Sequence, residues 1–174
     1  LVQEVLGGIL ADPSIEKVGQ NLKYDLQVLR GSGLQLDGIR FDTMIASSLL
    51  QPRRQSHGLD ALARELLNYT PIPITDLIGK GAKQISVVDA DPGRLAIYAA
   101  EDAHMTWRIW RIFKKELADQ QLEHLFYTIE IPLLSVLADM EWAGIALDIP
   151  FMKQLSIEFK EKLEALESRI HNEA

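Results

Sequence analysis

Residues Val18–Asp25 have the sequence VGQNLKYD, which marks the passage from a short strand into a helix. Ile15–Gly19 is a candidate for the short strand, Asn21 is a favourable helix N-cap, and Leu22–Arg30 has helical periodicity. A second short strand is predicted within Leu36–Phe41, so the order strand, helix, strand indicates a βαβ unit. Because such a unit needs a crossover connection, we expect its two strands to be parallel.

Helical patterns account for most of the remaining chain, apart from the irregular stretch Asn68–Pro92 with its several prolines and glycines. We expect well over half of the residues to be helical, with short strands only around Ile15–Gly19 and Ile39–Phe41. Asp42 is predicted to be an N-cap, and Pro132 should kink or end the helix that contains it. The further predicted helices are Leu1–Leu10, Thr43–Leu50, Leu59–Leu67, Arg94–Leu117, Gln120–Trp142 and Phe151–Ile170.

Asp102 occupies an unusual place in the long helix, because the periodicity assigns its position to a core-facing side chain. Burying a carboxylate is costly unless it is paired or binds a cation. Tyr98 lies one turn earlier on the same face, so a phenol and a carboxylate point the same way. The alternative is an aspartate at the edge of the stripe that reaches water. The stripe consists of Leu95, Tyr98, Asp102, Met105, Ile109 and Phe113.

The composition limits the classes of function. With 47% hydrophobic and 25% charged residues the chain can build a core, and its 174 residues suit one domain or slightly more. It has no cysteine, so any metal must be held by oxygen or imidazole ligands. A net charge of −7 argues against a surface built mainly to hold nucleic acid, but not against an acidic metal site that admits a strand end. No signal peptide or membrane span is evident, so we expect a cytoplasmic protein.

Two short segments together resemble the second and third exonuclease motifs of family A DNA polymerases, the bacterial DNA polymerase I type. Those motifs are Asn-x-x-Tyr/Phe-Asp and Tyr-x-x-x-Asp, and here they stand as Asn21–Asp25 (NLKYD) and Tyr98–Asp102 (YAAED). Each motif alone is weak, but the ordered set covers nearly the whole chain. The further matching segments are Phe41–Met44 (FDTM), His57–Ala63 (HGLDALA), Gly79–Gly81 (GKG), Ile129–Leu133 (IEIPL) and Trp142–Asp148 (WAGIALD).

The resemblance implies an α/β fold of the ribonuclease H-like 3′–5′ exonuclease type. It implies a two-metal hydrolase of single-stranded DNA 3′ ends that uses Mg²⁺ or Mn²⁺ and serves DNA replication and repair. Asp25 and Asp102 would be metal ligands and Tyr98 would orient the attacking water, so these three are the implied catalytic residues. Residues 1–118 would form the exonuclease domain, and residues 119–174 the helical start of the polymerase region. The expected partners are DNA and the rest of a polymerase chain that is monomeric, without a membrane.

The family's first motif, Asp-x-Glu, does not occur upstream of Asp25, where the acidic residues are Glu4, Asp12 and Glu16. The resemblance places that motif on a strand before this chain's first residue. We therefore expect an N-terminally truncated and helix-rich domain that is inactive by itself. Two alternatives stay open: a non-catalytic scaffold domain of such a polymerase, or an RNase D-like 3′–5′ exoribonuclease, which shares the logic of both motifs.

Several polar residues are weaker candidates for contacts with nucleic acid. Asn21 would lie near the terminal nucleotide by resemblance, and some of the basic residues could contact phosphates. For any one basic residue an ordinary solvated surface position is the more common reading. His57 and His104 lack a second ligand at metal spacing, so we expect both to be structural. The candidate nucleic-acid-binding residues are Asn21, Tyr24, Arg53, Arg54, His57 and Lys80.

Overall fold

The computed structural model describes the backbone of residues 2–173 and the side chains of residues 3–173. The chain divides into two compact units, Leu1–Trp142 and Ala143–Ala174. Helical segments make up about 70% of it, which confirms the expected helix-rich character. Among the helices described, none combines the length and the apolar character needed to cross a membrane.

The order of elements follows the predicted one closely. The predicted helix at the N-terminus is observed from Val2 onward, and Leu1 lies outside the described residues. Two 3₁₀ turns, Gly81–Lys83 and Val87–Asp89, interrupt the irregular stretch. The elements are α1 (Val2–Ala11), β1 (Lys17–Gly19), α2 (Leu22–Gly31), β2 (Ile39–Asp42), α3 (Thr43–Leu50), α4 (Leu59–Leu67), α5 (Thr75–Ile78), α6 (Pro92–Asp119), α7 (Glu123–Leu125), α8 (Ile131–Ala143) and α9 (Ile149–Glu173).

Strands β1 and β2 form a parallel pair, as the βαβ pattern predicts, and they are the two strands of the described chain. Val18 aligns with Phe41 and Gly19 with Asp42, so both strands end at the same edge. Because both strands end at this edge of the sheet, the segments that follow them lie close together there. Asn21 follows the end of β1, and Asp42 closes β2.

Asp42 joins the starts of two helices through one buried carboxylate. Its Oδ1 accepts hydrogen bonds from the backbone N–H groups of Met44 and Ile45, at 2.8 and 3.1 Å, and so caps α3 as predicted. Its Oδ2 accepts from the N–H of Leu22 at 2.6 Å, at the start of α2. Asn21 occupies the N-cap position of α2, as predicted, but it adopts a left-handed conformation with φ 61° and its side chain makes no cap hydrogen bond. The side-chain acceptor for the first N–H of the helix comes from Asp42 instead.

The main core lies between the sheet, α3, α4 and α6. Phe41 of β2 packs against Phe126 with ring centroids 4.7 Å apart, and both rings are fully buried. The α6 stripe contributes Ile109, Phe113 and Leu117 to the same cluster. Burial of large apolar side chains at this spacing explains why α6 holds a fixed position across the sheet.

Pro132 was predicted to kink or end its helix, and the structure has a wider, π-helical turn just before this residue. A π-helical turn at Phe126–Glu130 immediately precedes α8, and Pro132 is the second residue of α8. Proline has no N–H to donate and its ring clashes with the carbonyl four residues earlier, so a regular α-helical ladder cannot run through it. Gly144, which follows α8, has φ +69°, as expected for a glycine that ends a helix.

Helix α9 belongs to the second unit. It is 25 residues long, and none of its residues, all of which are described, is buried. Its apolar side chains recur at helical spacing on one face, while glutamates and lysines crowd the others. The apolar row consists of Phe151, Leu155, Phe159, Leu163, Leu166 and Ile170.

Candidate active site

The two aspartates singled out from the sequence line the same cleft. This cleft has a volume of about 570 Å³ and lies at the carboxyl end of β1. Asp25 reaches it from the first turn of α2, and Asp102 reaches it from α6. Its walls also include Asn21, and the remaining lining residues are Val18, Gly19, Gln20, Leu22, Met44, Gly58, Leu59, Ala103, Thr106 and Trp107.

The helical phase of α6 explains where Asp102 lies. Met105 and Ile109 are buried in the protein, whereas Asp102, one turn before Met105, is only half-buried. The apolar stripe thus emerges from the core at Asp102, where the helix passes the end of β1. The carboxylate keeps access to solvent while one side of it faces protein. The sequence left two interpretations of Asp102 open, a carboxylate facing the core and an aspartate at the edge of the stripe that reaches water. Each of them describes part of the observed environment.

Both carboxyl groups lie in surroundings that disfavour their ionised form. Desolvation raises the pKa of Asp25, even though much of that residue is exposed; a backbone hydrogen bond opposes this shift, and the negative charge of Asp42 adds to it. Desolvation also raises the pKa of Asp102; a hydrogen bond from Tyr98 opposes this shift, while the charges of Asp60 and Glu101 add to it. A cation in the cleft would relieve both penalties, because it favours ionised carboxylates.

Tyr98 lies one turn before Asp102 on α6 and interacts with that carboxyl group, although Tyr98 is not among the residues that line the cleft. Desolvation and the charge of Asp102 raise the pKa of Tyr98 to about 12, so the phenol keeps its proton at neutral pH. Its ring packs against a small second core that is separate from the main one. That core consists of the buried residues Leu77, Ile78 and Ala90, with Ile72, Ile74 and Leu95 around them.

A chain of polar contacts supports the cleft wall. The Gln20 side chain donates to the carbonyl of His57 at 2.9 Å, and Thr43 Oγ1 donates to the Gln20 side-chain oxygen. The His57 ring contacts Ser47 Oγ at 2.8 Å, and Ser47 Oγ also accepts from Arg54 at 2.9 Å. These contacts fix the loop before α4, whose Gly58 and Leu59 line the cleft.

The other residues predicted from the sequence divide into two groups. Asn21 lines the cleft, and the backbone of His57 supports it. His57 itself and the other four residues lie outside the lining. Tyr24 and Lys80 are exposed, and Arg53 lies in a separate hollow with Arg54. The Arg54 guanidinium donates to Ser47, Gln51 and Glu65 and lies over the Phe113 ring, so it serves the interior of the fold.

Sequence reasoning missed several residues of the site. Trp107 lines the cleft and packs against Trp110 in a tilted arrangement with ring centroids 4.4 Å apart, although it lies outside both motifs. Trp107 lies four residues after Ala103, which also lines the cleft, so both residues are on the same face of α6. This helical spacing was the signal in the sequence that could have identified Trp107. Asp60 was also missed: its charge acts on both Tyr98 and Asp102. This electrostatic interaction between α4 and α6 depends on tertiary packing, which no spacing rule predicts from a sequence.

The raised pKa of Asp102 predicts a pH-dependent gain in stability from Asp102→Asn. A carboxyl whose pKa is higher in the folded than in the unfolded state binds protons more readily when folded, so stability falls as pH rises through that window. At pH 7 Asp102 is ionised, so the wild-type fold is destabilised by the full cost of desolvating that charge. The asparagine variant has no charge at this position and does not have this cost. We therefore expect the variant to have the higher Tm at pH 7, with the difference shrinking as the pH approaches 4.

Thermal melts of the chain at a series of pH values without divalent cations measure this difference. Asp89→Asn, which changes an exposed aspartate away from the cleft, is the matched control. A Tm difference for Asp102→Asn that stays constant between pH 7 and pH 4 contradicts the assignment.

The donor set of the cleft suits a hard divalent cation. Mg²⁺ in enzymes is commonly held by one or two carboxylates, together with waters and substrate phosphates. Asp25 and Asp102 provide carboxylates of this kind on two different elements. Among the described residues, no group of three or more acidic, histidine or cysteine side chains could by itself enclose a metal ion. The cleft thus fits an ion that keeps open coordination positions rather than a closed structural metal site.

Comparison with known proteins identifies the class. Residues 2–118 match the family model described as 3′-5′ exonuclease, and the chain belongs to this family. The relatives named DNA polymerase I include those of Chloroflexus aurantiacus (40% identity, 99% of this chain), Rhizobium leguminosarum (39%, 95%) and Pseudomonas aeruginosa (36%, 98%). The chain spans only 18%, 16% and 19% of the length of these relatives, respectively. It is thus homologous to the 3′–5′ exonuclease region of DNA polymerase I.

Two solved structures resemble the fold. The POL domain of Pol1 from M. smegmatis, in complex with DNA primer-template and dNTP, matches with a TM-score of 0.76 and 26% identity. That match covers 94% of this chain and 25% of the other. NrnC of Brucella melitensis with bound Mg²⁺ matches with a TM-score of 0.59 and 25% identity, over 81% of this chain and 66% of the other. The expected exonuclease fold class is thereby confirmed.

Proposed function

We propose that the intact gene product removes nucleotides from the 3′ ends of single-stranded DNA and that the cleft between α2 and α6 is its hydrolytic site. The observation that carries this proposal is the meeting of Asp25 and Asp102, 77 positions apart in sequence, in one cleft. Membership of the 3′–5′ exonuclease family and the DNA polymerase I relatives support DNA as the substrate. The setting we propose is replication and repair of DNA in the cytoplasm.

We assign the metal-binding role to Asp25 and Asp102, each through its carboxylate. Bound divalent cations, two in our proposal, would neutralise the charge that develops on the phosphate. The Mg²⁺ bound to NrnC supports the choice of cation. Asn21 stands at the cleft wall, where its side chain can contact the terminal nucleotide. Residues 1–118 then form the exonuclease domain and residues 119–174 the start of the polymerase region, a boundary that the extent of the family match supports.

Tyr98 orients the attacking water in this scheme. Because its pKa is about 12, the phenol stays protonated and acts as a hydrogen-bonding group rather than as a base. It stands within reach of Asp102, so a water held near that carboxylate can contact the phenol oxygen as well. The proton that leaves this water passes to solvent or to a carboxylate of the cleft.

Tyr98→Phe should therefore reduce the rate of DNA degradation without abolishing it. The substitution removes one hydrogen bond to water and keeps the ring in its apolar surroundings, so we expect a loss of about ten-fold in kcat. Single-turnover degradation of a 5′-labelled oligonucleotide by the intact gene product measures the effect. A parallel RNA oligonucleotide tests the exoribonuclease alternative. Unchanged kcat in Tyr98→Phe contradicts the role of the hydroxyl.

A further inference from the structure

Glu101, the neighbour of Asp102, makes two contacts that no motif explains. Its Oε1 accepts a hydrogen bond from the Tyr69 hydroxyl at 2.6 Å, and its Oε2 accepts from the Ile72 N–H at 2.8 Å. Pro71 and Pro73 flank Ile72 and have no N–H, so Ile72 offers the single amide donor of this three-residue stretch. Both carboxylate oxygens of Glu101 thus hold the same short loop between α4 and α5.

The loop held in this way leads directly into the segment that surrounds Tyr98. Leu77, Ile78 and Ala90 from this segment form the small buried core, and the Tyr98 ring packs against it. A second tether joins the segment to α6, because the Arg94 guanidinium donates to the carbonyl of Asp76 at 2.8 Å.

Tyr98 lies between the two anchoring residues, one helical turn from each. Arg94 is four positions before it and Glu101 three positions after it. In an α-helix these spacings place all three side chains along one side. The segment from Tyr69 to Ala90 is therefore fastened to α6 on both sides of the Tyr98 ring, and the packing of that ring depends on the two fastenings.

We propose that Glu101 is a positioning residue: by holding Tyr69 and Ile72, it fixes the segment packed around the Tyr98 ring and so sets the place of the Tyr98 hydroxyl beside Asp102. This inference rests on the proposed function, because it concerns the water-orienting role of Tyr98. Glu101 itself does not touch substrate in this account. It acts through Tyr98, and its effect should fall on the rate of the chemical step rather than on DNA binding.

The test is a double-mutant cycle with Tyr69→Phe and Tyr98→Phe in the intact gene product. Tyr69 is 39% exposed, so Tyr69→Phe removes one hydrogen bond at the surface and leaves the fold intact. It also leaves the charge beside Asp102 in place, which Glu101→Gln does not. We expect Tyr69→Phe to lower kcat about three- to five-fold, with KM for single-stranded DNA unchanged. In the Tyr98→Phe background it should cause no further loss, because the hydroxyl that it positions is already absent.

Tyr127→Phe is the matched control: it removes a phenol hydroxyl from a residue that packs on Phe41 and Phe126, away from the loop, and kcat should stay at the wild-type value. Hydrogen exchange at the Ile72 amide gives a second readout, with protection expected in the wild type and lost in Glu101→Ala. An equal fold-loss from Tyr69→Phe in both backgrounds, or no loss in the wild type, overturns the positioning role. If Asp102→Ala leaves DNA degradation intact, the proposed function itself fails and this inference falls with it.

Discussion

Asp102→Ala in the intact gene product should abolish the 3′–5′ degradation of single-stranded DNA, with a fall in rate of at least about 10³-fold. The substitution removes a carboxylate from the cleft where we place the metal site. It also removes the group beside which the Tyr98 hydroxyl stands. Binding of the cation and orientation of the water thus fail together, and no other residue of α6 that lines the cleft carries a carboxylate.

A gel assay on a 5′-labelled oligonucleotide in Mg²⁺ or Mn²⁺ measures this loss. Asp119→Ala provides the matched control, because it removes an aspartate from the exposed end of the same helix and should leave the rate unchanged. Circular dichroism confirms that both variants are folded. If Asp102→Ala shortens the oligonucleotide as fast as the wild type does, the cleft is not the hydrolytic site.

Asp42→Ala should be the most damaging single substitution for the fold among those considered. The buried Asp42 carboxylate accepts backbone hydrogen bonds from Leu22, Met44 and Ile45. Without it, three N–H groups at the starts of α2 and α3 lose their acceptor inside the protein. We expect the free energy of unfolding to fall by about 2–4 kcal/mol, since each buried donor left unsatisfied costs about 1–3 kcal/mol and part of that is recovered by relaxation.

Urea denaturation of the 174-residue chain gives this value. Asp91→Ala is the matched control, because Asp91 caps α6 through one exposed hydrogen bond, to the Arg94 N–H at 2.8 Å. Loss of a single exposed cap typically costs about 1 kcal/mol. An Asp42→Ala variant that is no less stable than Asp91→Ala would mean that the buried contacts of Asp42 contribute little.

The Asp42 contacts also connect the fold with the site. The Leu22 N–H bond fixes the first turn of α2, and Asp25 lies in that same turn. The charge of Asp42 raises the pKa of Asp25 as well. One carboxylate at the end of β2 therefore helps to position a proposed metal ligand and adds to the electrostatic cost of ionising it. This arrangement explains how a sheet of two short strands can place the cleft.

Local signals in the sequence were sufficient for much of the fold. The helix from Thr43 and its Asp42 cap are determined by residues a few positions apart, and both predictions are confirmed. The parallel pairing of β1 and β2 followed from the length of the crossover between them, and it is confirmed too. The family itself was identified from the spacing within two motifs, which the family match confirms.

Contacts between distant segments could not be predicted in this way. Asn21 has the residue type of a cap and stands at the N-cap position, but its side chain makes no cap hydrogen bond, and the Leu22 N–H donates to Asp42, twenty positions after Leu22. Arg54 looks like any surface arginine in the sequence, yet its side chain is only 6% exposed and contacts Ser47 and Glu65. The partners of these side chains depend on which helices and strands pack together in the fold. Residue propensities and hydrophobic periodicity contain no information about such packing.

In the proposed site, Asp25 and Asp102 hold a divalent cation together. Anomalous diffraction from crystals of the intact gene product grown with Mn²⁺ tests this directly. We predict an anomalous peak in the cleft within about 2.0–2.6 Å of carboxylate oxygens from both residues, the usual range for hard cations. A second peak about 4 Å from the first would identify the two-ion arrangement. An empty cleft at saturating Mn²⁺, or peaks bound only to other residues, would contradict the account.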